Sequence, residues 1–444
     1  ETVNAVEAWL GAVPGQVYAN VRQPLVHTLN LAHLMPLSAV WAGPERNDHL
    51  DGPPLLMAAT QGSTPFRLST HVGDVGHMFI VGPTGAGKSV LLSLMALQFR
   101  RYAQAQVYIF DKGFSARAAV LGMGGDHFAL GAAGSLAFQP LAKIDEPAVR
   151  TWAADWIQGL IAHERVTLTP EVKDAIWSAL SNLASAPVGE RTLTGLSVLL
   201  QSNTIKAALA PYTLEGPFGH LLDAADDHLA IGDVQCFEME ELMHAPAAVG
   251  PVLTYLFHRL EAKFDGKPTL LLIDEAWLFL DDPLFAARIR EWLKTLRKKN
   301  VAVVFATQSL SDIAESKIAP VLIESCPQRI FLPNDRALEP QARTAYERFG
   351  LNERQIELIA AATPKREYYL QSRRGNRLYE LGLGPIALAV CATSSPADQA
   401  RITKTVEQFG TEAFAGAWLK AKGLTWAEDL MRDFAPTTPK EYQP

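Results

Sequence analysis

Short runs of apolar residues alternate with amphipathic segments along the chain. Residues 78–81 and 107–110 are two such runs, and residues 89–102 between them carry apolar side chains at helical spacing. A strand, a loop, a helix and a second strand in this order predict a βαβ unit and therefore a parallel sheet. The apolar runs 269–273 and 301–306 predict two more of its strands. The fold class that follows is α/β, with a mainly parallel central sheet.

Turn residues and helical patterns divide the chain into segments. Residues 1–65 are rich in proline and glycine and are predicted to be an irregular lead-in with one helix at its start. Residues 140–227 carry three helical patterns, which predict a helical insertion. This insertion separates two parts of one α/β core, residues 66–139 and 228–395. Residues 396–444 are predicted to form a helical tail.

Two smaller features lie in the second half of the chain. Residues 367–371 and 377–381 flank a polar stretch, residues 372–376, and predict a hairpin. The apolar run 386–391 is short enough for a strand. The hairpin therefore carries the basic pair Arg373 and Arg374 at its tip.

Composition excludes several classes of protein. Hydrophobic residues make up 48% of the 444 residues and charged residues 20%, as in globular proteins with a large core. The net charge of −7 argues against a surface that is basic throughout, although a local basic channel for nucleic acid stays open. The three cysteines show no CxxC spacing and the 11 histidines no HExxH pattern, so we expect neither a disulfide framework nor a zinc site.

The sequence also bears on location and completeness. It contains no run of about 18 apolar residues, the length needed to span a bilayer. We therefore expect a cytosolic chain, or one held peripherally at a membrane by partners. The chain begins with Glu1 rather than Met and inside a helical pattern, which predicts a piece of a longer protein.

The strongest chemical signal is a glycine-rich loop between the first predicted strand and helix. It matches the phosphate-binding pattern G-x-x-x-x-G-K-[ST] in full, as Gly82-Pro83-Thr84-Gly85-Ala86-Gly87-Lys88-Ser89. Glycines let the backbone N–H groups of such a loop turn toward phosphate oxygens, and the following helix N-terminus favours anions. We expect Lys88 to reach the β- and γ-phosphates of ATP and the Ser89 hydroxyl to ligate Mg²⁺.

A second signal is an apolar strand that ends in two carboxylates, Asp274 and Glu275. Such a strand can fix Asp274 at the sheet edge beside the Mg²⁺ ion. Glu275 is then placed to orient and deprotonate the attacking water. The alternative is a strand that ends at a solvated acidic turn.

Two further polar residues follow predicted strands. Gln308 ends the run 301–306, whose strand we expect beside the P-loop strand, so its amide can sense the γ-phosphate and position water. Asp111 ends the run 107–110. Support for the water or metal and a plain turn role both stay open for Asp111.

The basic residues allow two interpretations each. The run 297–299 closes an amphipathic helix, where cations complement the helix dipole, and a nucleic-acid contact is the alternative. Arg373 and Arg374 are either solvated residues of the hairpin tip or arginine fingers that act on a neighbouring subunit.

Taken together, these motifs resemble the TrbE-type conjugal-transfer ATPases of type IV secretion systems. The resemblance rests on the P-loop, on the segment Asp274-Glu275-Ala276-Trp277 and on Gln308, and several flanking stretches extend it over nearly the whole chain. These stretches are residues 5–15, 20–22, 71–77, 332–334 and 349–352.

The resemblance implies a RecA-like motor domain of the HerA/FtsK kind, made by the two core segments, that works as a homo-hexamer. It implies ATP hydrolysis that drives pilus biogenesis and the transfer of DNA or protein, as in plasmid conjugation, together with other secretion components at the cytoplasmic face of the bacterial inner membrane. The family's N-terminal domain would precede this chain. Lys88, Ser89, Asp274, Glu275 and Gln308 match the family's phosphate, metal, base and sensor positions. No arginine finger is matched.

Two other functions remain open at this point. A DNA-translocating coupling protein or HerA-like pump shares the same motifs and could make a direct contact with DNA, and DNA-stimulated ATPase activity would favour it. The other is an assembly scaffold that binds ATP and turns it over poorly, and ATP binding with negligible hydrolysis would favour it.

Overall fold

The computed structural model describes residues 5–15, 27–35, 40–62, 64–132, 136–275, 283–316 and 319–433. The chain divides into two units, Glu1–Trp41 and Ala42–Pro444. The described part of the first unit contains two helices, α1 (Ala5–Gly11) and α2 (Thr28–Leu34). All the elements named below belong to the second unit.

The strands of the second unit form a two-stranded sheet and a nine-stranded sheet among the described residues. In chain order the strands are β1 (Leu56–Ala58), β2 (Phe66–Leu68), β3 (Met78–Val81), β4 (Gln106–Asp111), β5 (Asp126–Ala129), β6 (Val234–Glu238), β7 (Thr269–Ile273), β8 (Val301–Thr307), β9 (Gln328–Phe331), β10 (Glu367–Ser372) and β11 (Gly375–Glu380).

The helices of the second unit follow or precede these strands. They are α3 (Lys88–Phe99), α4 (Arg117–Gly122), α5 (Pro147–His163), α6 (Pro170–Leu183), α7 (Leu193–Leu199), α8 (Asn203–Leu209), α9 (Gly219–Leu222), α10 (Pro246–Glu261), α11 (Pro283–Thr295), α12 (Leu310–Glu315), α13 (Ala319–Ser325), α14 (Pro340–Arg348), α15 (Glu353–Ala361), α16 (Pro385–Cys391), α17 (Pro396–Phe409), α18 (Phe414–Ala421) and α19 (Thr425–Asp433).

The large sheet has the strand order β11-β10-β9-β3-β8-β7-β4-β6-β5. All pairings from β9 to β5 are parallel, and β10 and β11 add an antiparallel hairpin at one end. Because the parallel strands point the same way, their carboxyl ends share one edge of the sheet. That edge carries the loop after β3 and the residues that follow β4, β6, β7 and β8.

The central strands are buried from end to end, which explains their continuous apolar sequence. Alternate side chains, including Phe110 of β4 and Phe237 of β6, join one large core with helices α5, α6, α8 and α10. The ring of Phe110 lies 4.7 Å from the ring of Phe257 on α10. The block of helices between β5 and β6 is thereby packed on the sheet.

The helices after the sheet pack on α4. Ala118 and Leu121 of α4 form a buried cluster with Ile402, Phe414 and Trp418 of α17 and α18. Trp418 Nε1 donates a hydrogen bond to the carbonyl of Ala389 on α16 at 2.9 Å. The described part of the predicted tail is therefore joined to the sheet domain by an apolar core.

Several sequence predictions differ from the structure. The prediction of an irregular lead-in over residues 1–65 was wrong at β1, which forms a strand and pairs with β2 across the expected boundary at residue 65. The run 386–391 belongs to helix α16 and not to a strand, since Pro385 occupies its first turn. The hairpin turn is Arg373-Arg374 alone, because Ser372 and Gly375 are already paired. Strand β5 has no apolar pattern and was missed.

None of the helices in the described ranges combines the length and the apolar character required to cross a bilayer.

Candidate active site

The glycine-rich loop connects β3 to α3 at the carboxyl edge of the sheet. Gly85 and Gly87 have φ angles of +80° and +106°, a region that glycine adopts without steric cost. A Cβ atom on Gly82 would overlap the side chain of Leu332, which follows β9. The loop therefore needs glycine at these positions for its conformation and for its contact with the neighbouring strand, as expected of a P-loop.

Lys88, the first residue of α3, lies between the two predicted carboxylates. Its Nζ atom is 3.0 Å from Oδ1 of Asp274 and 2.8 Å from Oε1 of Glu275. All three side chains are less than one-tenth exposed. The structure thus brings together the lysine of the glycine-rich loop and the acidic pair that the sequence singles out.

Burial dominates the electrostatics of Asp274. Its pKa is raised to about 6 as the net effect of several causes, of which removal from water is the largest. The ammonium of Lys88 lowers this pKa, and the carboxylates of Asp111 and Glu275 raise it further. The backbone N–H of Glu275 donates to Oδ1 of Asp274 at 3.0 Å, and Asp274 N donates to the carbonyl of Phe110 at 2.9 Å. The end of β7 is thereby fixed to β4.

Glu275 has a left-handed backbone with a φ of +53°. A non-glycine residue in this region is uncommon, and such conformations concentrate at functional sites. The turn directs the Glu275 carboxylate to Lys88, whereas a continued strand would place alternate side chains on opposite faces.

Gln308 follows β8 and joins this cluster, as the sequence predicts. Strand β8 runs parallel to β3, with Thr307 paired with Val81. The Gln308 amide Nε2 donates to Oε1 of Glu275, and the Thr84 hydroxyl donates to Oε1 of Gln308. A chain of hydrogen bonds therefore connects the P-loop to Glu275 through the Gln308 side chain.

Asp111 and Glu238 end the neighbouring strands β4 and β6, in register with each other. Asp111 accepts hydrogen bonds from the Ser115 hydroxyl and the Ala116 N–H, each at 2.7 Å. These contacts anchor the loop before α4 and give Asp111 the turn role that the sequence left open. Burial raises the pKa of Asp111, and these two hydrogen bonds lower it.

Glu238 is a site residue that sequence reasoning missed. Its carboxylate accepts backbone N–H bonds from Gly113 at 3.1 Å, Phe114 at 2.6 Å and Glu240 at 2.9 Å. Burial, followed by the carboxylate of Asp111, raises the pKa of Glu238 to about 8. The one sequence signal that could have found it is its position directly after a short, mostly apolar run, residues 234–237.

Metal binding at this edge depends on the oxygen donors that the loop and the strands supply. No group of three or more His, Cys, Asp or Glu side chains in the described ranges is placed to hold a metal ion. The P-loop serine and a buried strand-end carboxylate, here Ser89 and Asp274, are nevertheless the oxygen donors that hold Mg²⁺ together with nucleotide phosphates. The residues therefore fit a Mg²⁺ ion shared with a phosphate ligand.

Arg374 is distant from this edge within its own chain. Strand β10 runs antiparallel to β9, and Ser372 pairs with Gln328 at the start of β9. The Arg373-Arg374 turn therefore lies at the opposite edge of the sheet from the P-loop.

The basic run 297–299 follows α11. Within this run, Nη1 of Arg297 lies 3.8 Å from Oδ2 of Asp74.

Comparisons with known proteins agree with this geometry. The TraG P-loop domain family matches residues 199–410, which include Asp274, Glu275 and Gln308. The chain is 48% identical over 97% of its length to a probable conjugal transfer protein of the TrbE type from Sinorhizobium fredii, and spans 66% of that protein. It is also 48% identical over 97% of its length to the conjugal transfer protein TrbE of Rhizobium radiobacter, and spans 53% of it.

More distant relatives extend the likeness. The type IV secretion system protein virB4 of Bartonella henselae is 29% identical over 86% of this chain, which spans 49% of that protein. The solved structure of VirB4 of Thermoanaerobacter pseudethanolicus covers 78% of this chain and matches over its whole length, with a TM-score of 0.62 at 17% identity. That likeness confirms the predicted RecA-like P-loop fold. The structure itself has helices α5 to α9 between β5 and β6, in the region where the sequence predicts a helical insertion. Residues 20–22 and 276–277, which also carried the resemblance, lie outside the described residues.

The chain spans between half and two thirds of the TrbE proteins that it matches. The identity to them extends over almost all of the present sequence, and the structure supplies the P-loop, the strand-end carboxylates and the fold. The chain belongs to the TrbE/VirB4 family of P-loop ATPases from conjugal-transfer and type IV secretion systems.

Proposed function

We propose that this chain is the ATP-hydrolysing motor portion of a conjugal-transfer or type IV secretion system. The observation that carries the proposal is the position of Lys88 Nζ, within 3.0 Å of both Asp274 and Glu275 at the end of a P-loop. Phosphoryl transfer to water requires a cation beside the phosphate loop, a carboxylate that can bind the metal ion and a second carboxylate that can act as general base.

Each residue has a distinct task in this proposal. The P-loop N–H groups and Lys88 bind the β- and γ-phosphates of ATP and offset their charge. Ser89 and Asp274 would hold Mg²⁺, which would offset the negative charge of the phosphates. Glu275 orients a water molecule and takes its proton as the water oxygen bonds to the γ-phosphorus and the bond to ADP breaks. Gln308 holds the Glu275 carboxylate in position.

The context of the motor is proposed from the relatives. The TrbE relatives are named for conjugal transfer and the virB4 relative for type IV secretion. We place this chain at the cytoplasmic face of the bacterial inner membrane, bound peripherally to other secretion components, as a homo-hexamer. Hydrolysis there would energise pilus biogenesis and the transfer of DNA or protein. Residues 66–139 and 228–395 would form the motor domain, and residues 140–227 its insertion.

An ATPase assay with and without DNA, combined with a mass measurement in ATP, tests the proposal. Turnover that needs Mg²⁺ and does not depend on DNA, in a ring-sized species, is the expected result. Strong stimulation by DNA would favour a DNA translocase. ATP binding with negligible turnover in assembled rings would favour a nucleotide-dependent scaffold.

A further inference from the structure

The segment before β10 touches the last residues of the P-loop. The backbone N–H of Lys365 donates to the carbonyl of Ala86 at 2.9 Å, and the Tyr368 hydroxyl donates to the carbonyl of Gly87 at 3.3 Å. A Cβ atom on Gly87 would lie 2.6 Å from the Tyr368 hydroxyl oxygen and 3.2 Å from Lys365 Cα. The outer side of the phosphate loop is therefore packed directly against this segment.

The segment is held rigidly from its other side. The Thr363 N–H donates to the Glu367 carboxylate at 2.7 Å, and Leu381 N donates to the carbonyl of Arg366 at 3.0 Å. Lys365 itself has a φ of +63°, a left-handed backbone that a lysine adopts only where its surroundings impose it. The fold thus places a lysine beside the phosphate loop at a position where glycine would be easier to accommodate.

The charge of Lys365 has no partner in the described part of the chain. Arg366, the next residue, forms an ion pair with Glu380 at 2.7 Å, whereas no described carboxylate lies within ion-pair distance of Lys365. Lys365 is exposed to solvent. An exposed lysine with no described ion-pair partner, whose backbone contacts a phosphate loop, is suited to bind an anionic ligand.

The position of Lys365 indicates which phosphate it would meet. Thr84, at the start of the loop, is hydrogen-bonded to Gln308 on the β8 side. Lys365 contacts the end of the loop from the β10 side, and β8 and β9 lie on opposite sides of β3. A nucleotide whose γ-phosphate faces Glu275 therefore extends its α-phosphate toward the side of Lys365.

We propose that Lys365 is a nucleotide-binding residue whose ammonium contacts the α-phosphate of ATP and ADP. This assignment rests on the proposed nucleotide site at Lys88. A contact with the α-phosphate is present in ATP and in ADP alike, so it contributes equally to the binding of both. It therefore differs in its consequences from a contact with the γ-phosphate, which only ATP carries.

The test compares ADP and ATP affinities, measured with Mg²⁺ by competition against a fluorescent ADP, for the parent chain and a set of variants. Lys365→Ala removes the charge, Lys365→Gly removes the charge and also relieves the left-handed backbone, and Lys365→Arg keeps the charge. Lys173→Ala removes an exposed lysine from α6 as a matched control. Lys88→Ala reports on the P-loop itself, and Tyr368→Phe removes only the hydroxyl contact.

The expected result is that Lys365→Ala and Lys365→Gly each weaken ADP and ATP binding by about tenfold, as for a lost charged hydrogen bond. Lys365→Arg, Lys173→Ala and Tyr368→Phe should retain most of the affinity, and added salt should reduce the difference from the parent. If Lys365→Ala and Lys365→Gly keep the parent affinities while Lys88→Ala loses binding, the proposed role of Lys365 is overturned and the nucleotide site at Lys88 stands. A weakening confined to ATP would overturn the α-phosphate assignment. Parent-like binding by Lys88→Ala would instead remove the proposed site.

Discussion

The ammonium of Lys88 lies 2.8 Å from Oε1 of Glu275, although the two residues are 187 positions apart in the chain. The contact joins the first residue of α3 to the end of β7, across the whole helical insertion. A parallel sheet makes such a contact regular, because it gathers the carboxyl ends of strands from distant regions of the sequence at one edge. The phosphate-binding and base residues of the proposed mechanism therefore share one buried cluster.

Lys88→Ala should abolish nucleotide binding and destabilise the protein. It leaves two buried carboxylates without the ammonium, and removing one partner of a buried ion pair costs about 3–5 kcal/mol in the free energy of unfolding. The ammonium of Lys88 lowers the pKa of Asp274, so its removal in Lys88→Ala raises that pKa further. A carboxyl group with a raised pKa in the folded state loses stability as pH rises, so the loss in the free energy of unfolding should be smaller at pH 6 than at pH 8.

Urea unfolding at the two pH values and ADP binding at one of them measure both effects, with Lys173→Ala as the exposed-lysine control. A Lys88→Ala chain that binds nucleotide as the parent does would contradict the P-loop assignment. Equal destabilisation at both pH values would contradict the electrostatic account of the cluster.

Gln308→Ala and Thr84→Val should each lower kcat by about tenfold, the effect of one lost orienting hydrogen bond. Both break the chain that connects the P-loop to Glu275, the first at its centre and the second at its end. Affinity for ATP should change little, since neither side chain supplies charge to the phosphates. Thr84→Ser keeps the hydroxyl and is the control. Steady-state turnover together with ATP binding separates the two effects, and a parent-like kcat in both variants would remove Gln308 from the mechanism.

Glu238 should make stability depend on pH. Its folded pKa of about 8 lies above the ordinary value of 4.5, so the native state binds more protons than the unfolded state between these values. This contribution to stability is present in full below pH 4.5 and is lost as pH rises through 8. Glu238→Gln cannot titrate, and the decline of the thermal midpoint between pH 5 and pH 8.5 should be less steep in this variant.

The quantity to compare is the slope of the thermal midpoint against pH and not the midpoint at one pH. The midpoint itself also changes because Gln offers one acceptor oxygen fewer to the three backbone N–H groups. Glu241→Gln, an exposed neighbour, is the control and should keep the parent slope. An identical slope in Glu238→Gln and the parent would show that another group titrates in this range.

Arg374 lies at the sheet edge opposite its own P-loop, so an arginine finger at this position would act on a neighbouring subunit. Specific ATPase activity should then rise with protein concentration as rings form. Arg374→Ala should lower kcat, and an arginine finger is commonly worth roughly 10³–10⁵ in kcat. Rings that mix Arg374→Ala with Glu275→Gln subunits should recover some of the activity, because some interfaces then pair both intact residues.

Absence of recovery in rings shown to be mixed, or full activity in a dilute monomer, would leave Arg373 and Arg374 as a solvated turn. Lys298→Ala, which removes another exposed positive charge, is the matched control for the mixing experiment.

The sequence predicted most of the sheet and the P-loop because both depend on local patterns. Strands β3, β4, β7 and β8 are buried throughout and mostly apolar, and the loop motif indicates the residues that are proposed to bind phosphate. The meeting of Lys88, Asp274 and Glu275 followed from the rule that carboxyl ends of parallel strands share an edge.

The remaining features depend on contacts that no local pattern records. The run before Glu238 is short and includes the polar Gln235, so it is a weak sequence signal, and the three backbone N–H donors of Glu238 are seen only in the structure. Lys365 contacts Ala86, which lies 279 positions earlier in the chain, and no sequence motif around Lys365 indicates this contact. Strand β5 is short and half-exposed, and it is ordered by its pairing with β6.

The most direct test of the central claim is ATP binding and ATP hydrolysis measured on the same sample of Glu275→Gln. Glutamine preserves the shape of Glu275 but cannot take a proton from water. The account predicts that the variant binds ATP with Mg²⁺ as the parent does and loses kcat by about 10²-fold or more. A parent-like kcat in Glu275→Gln would contradict the account, because the base would then have to be another residue.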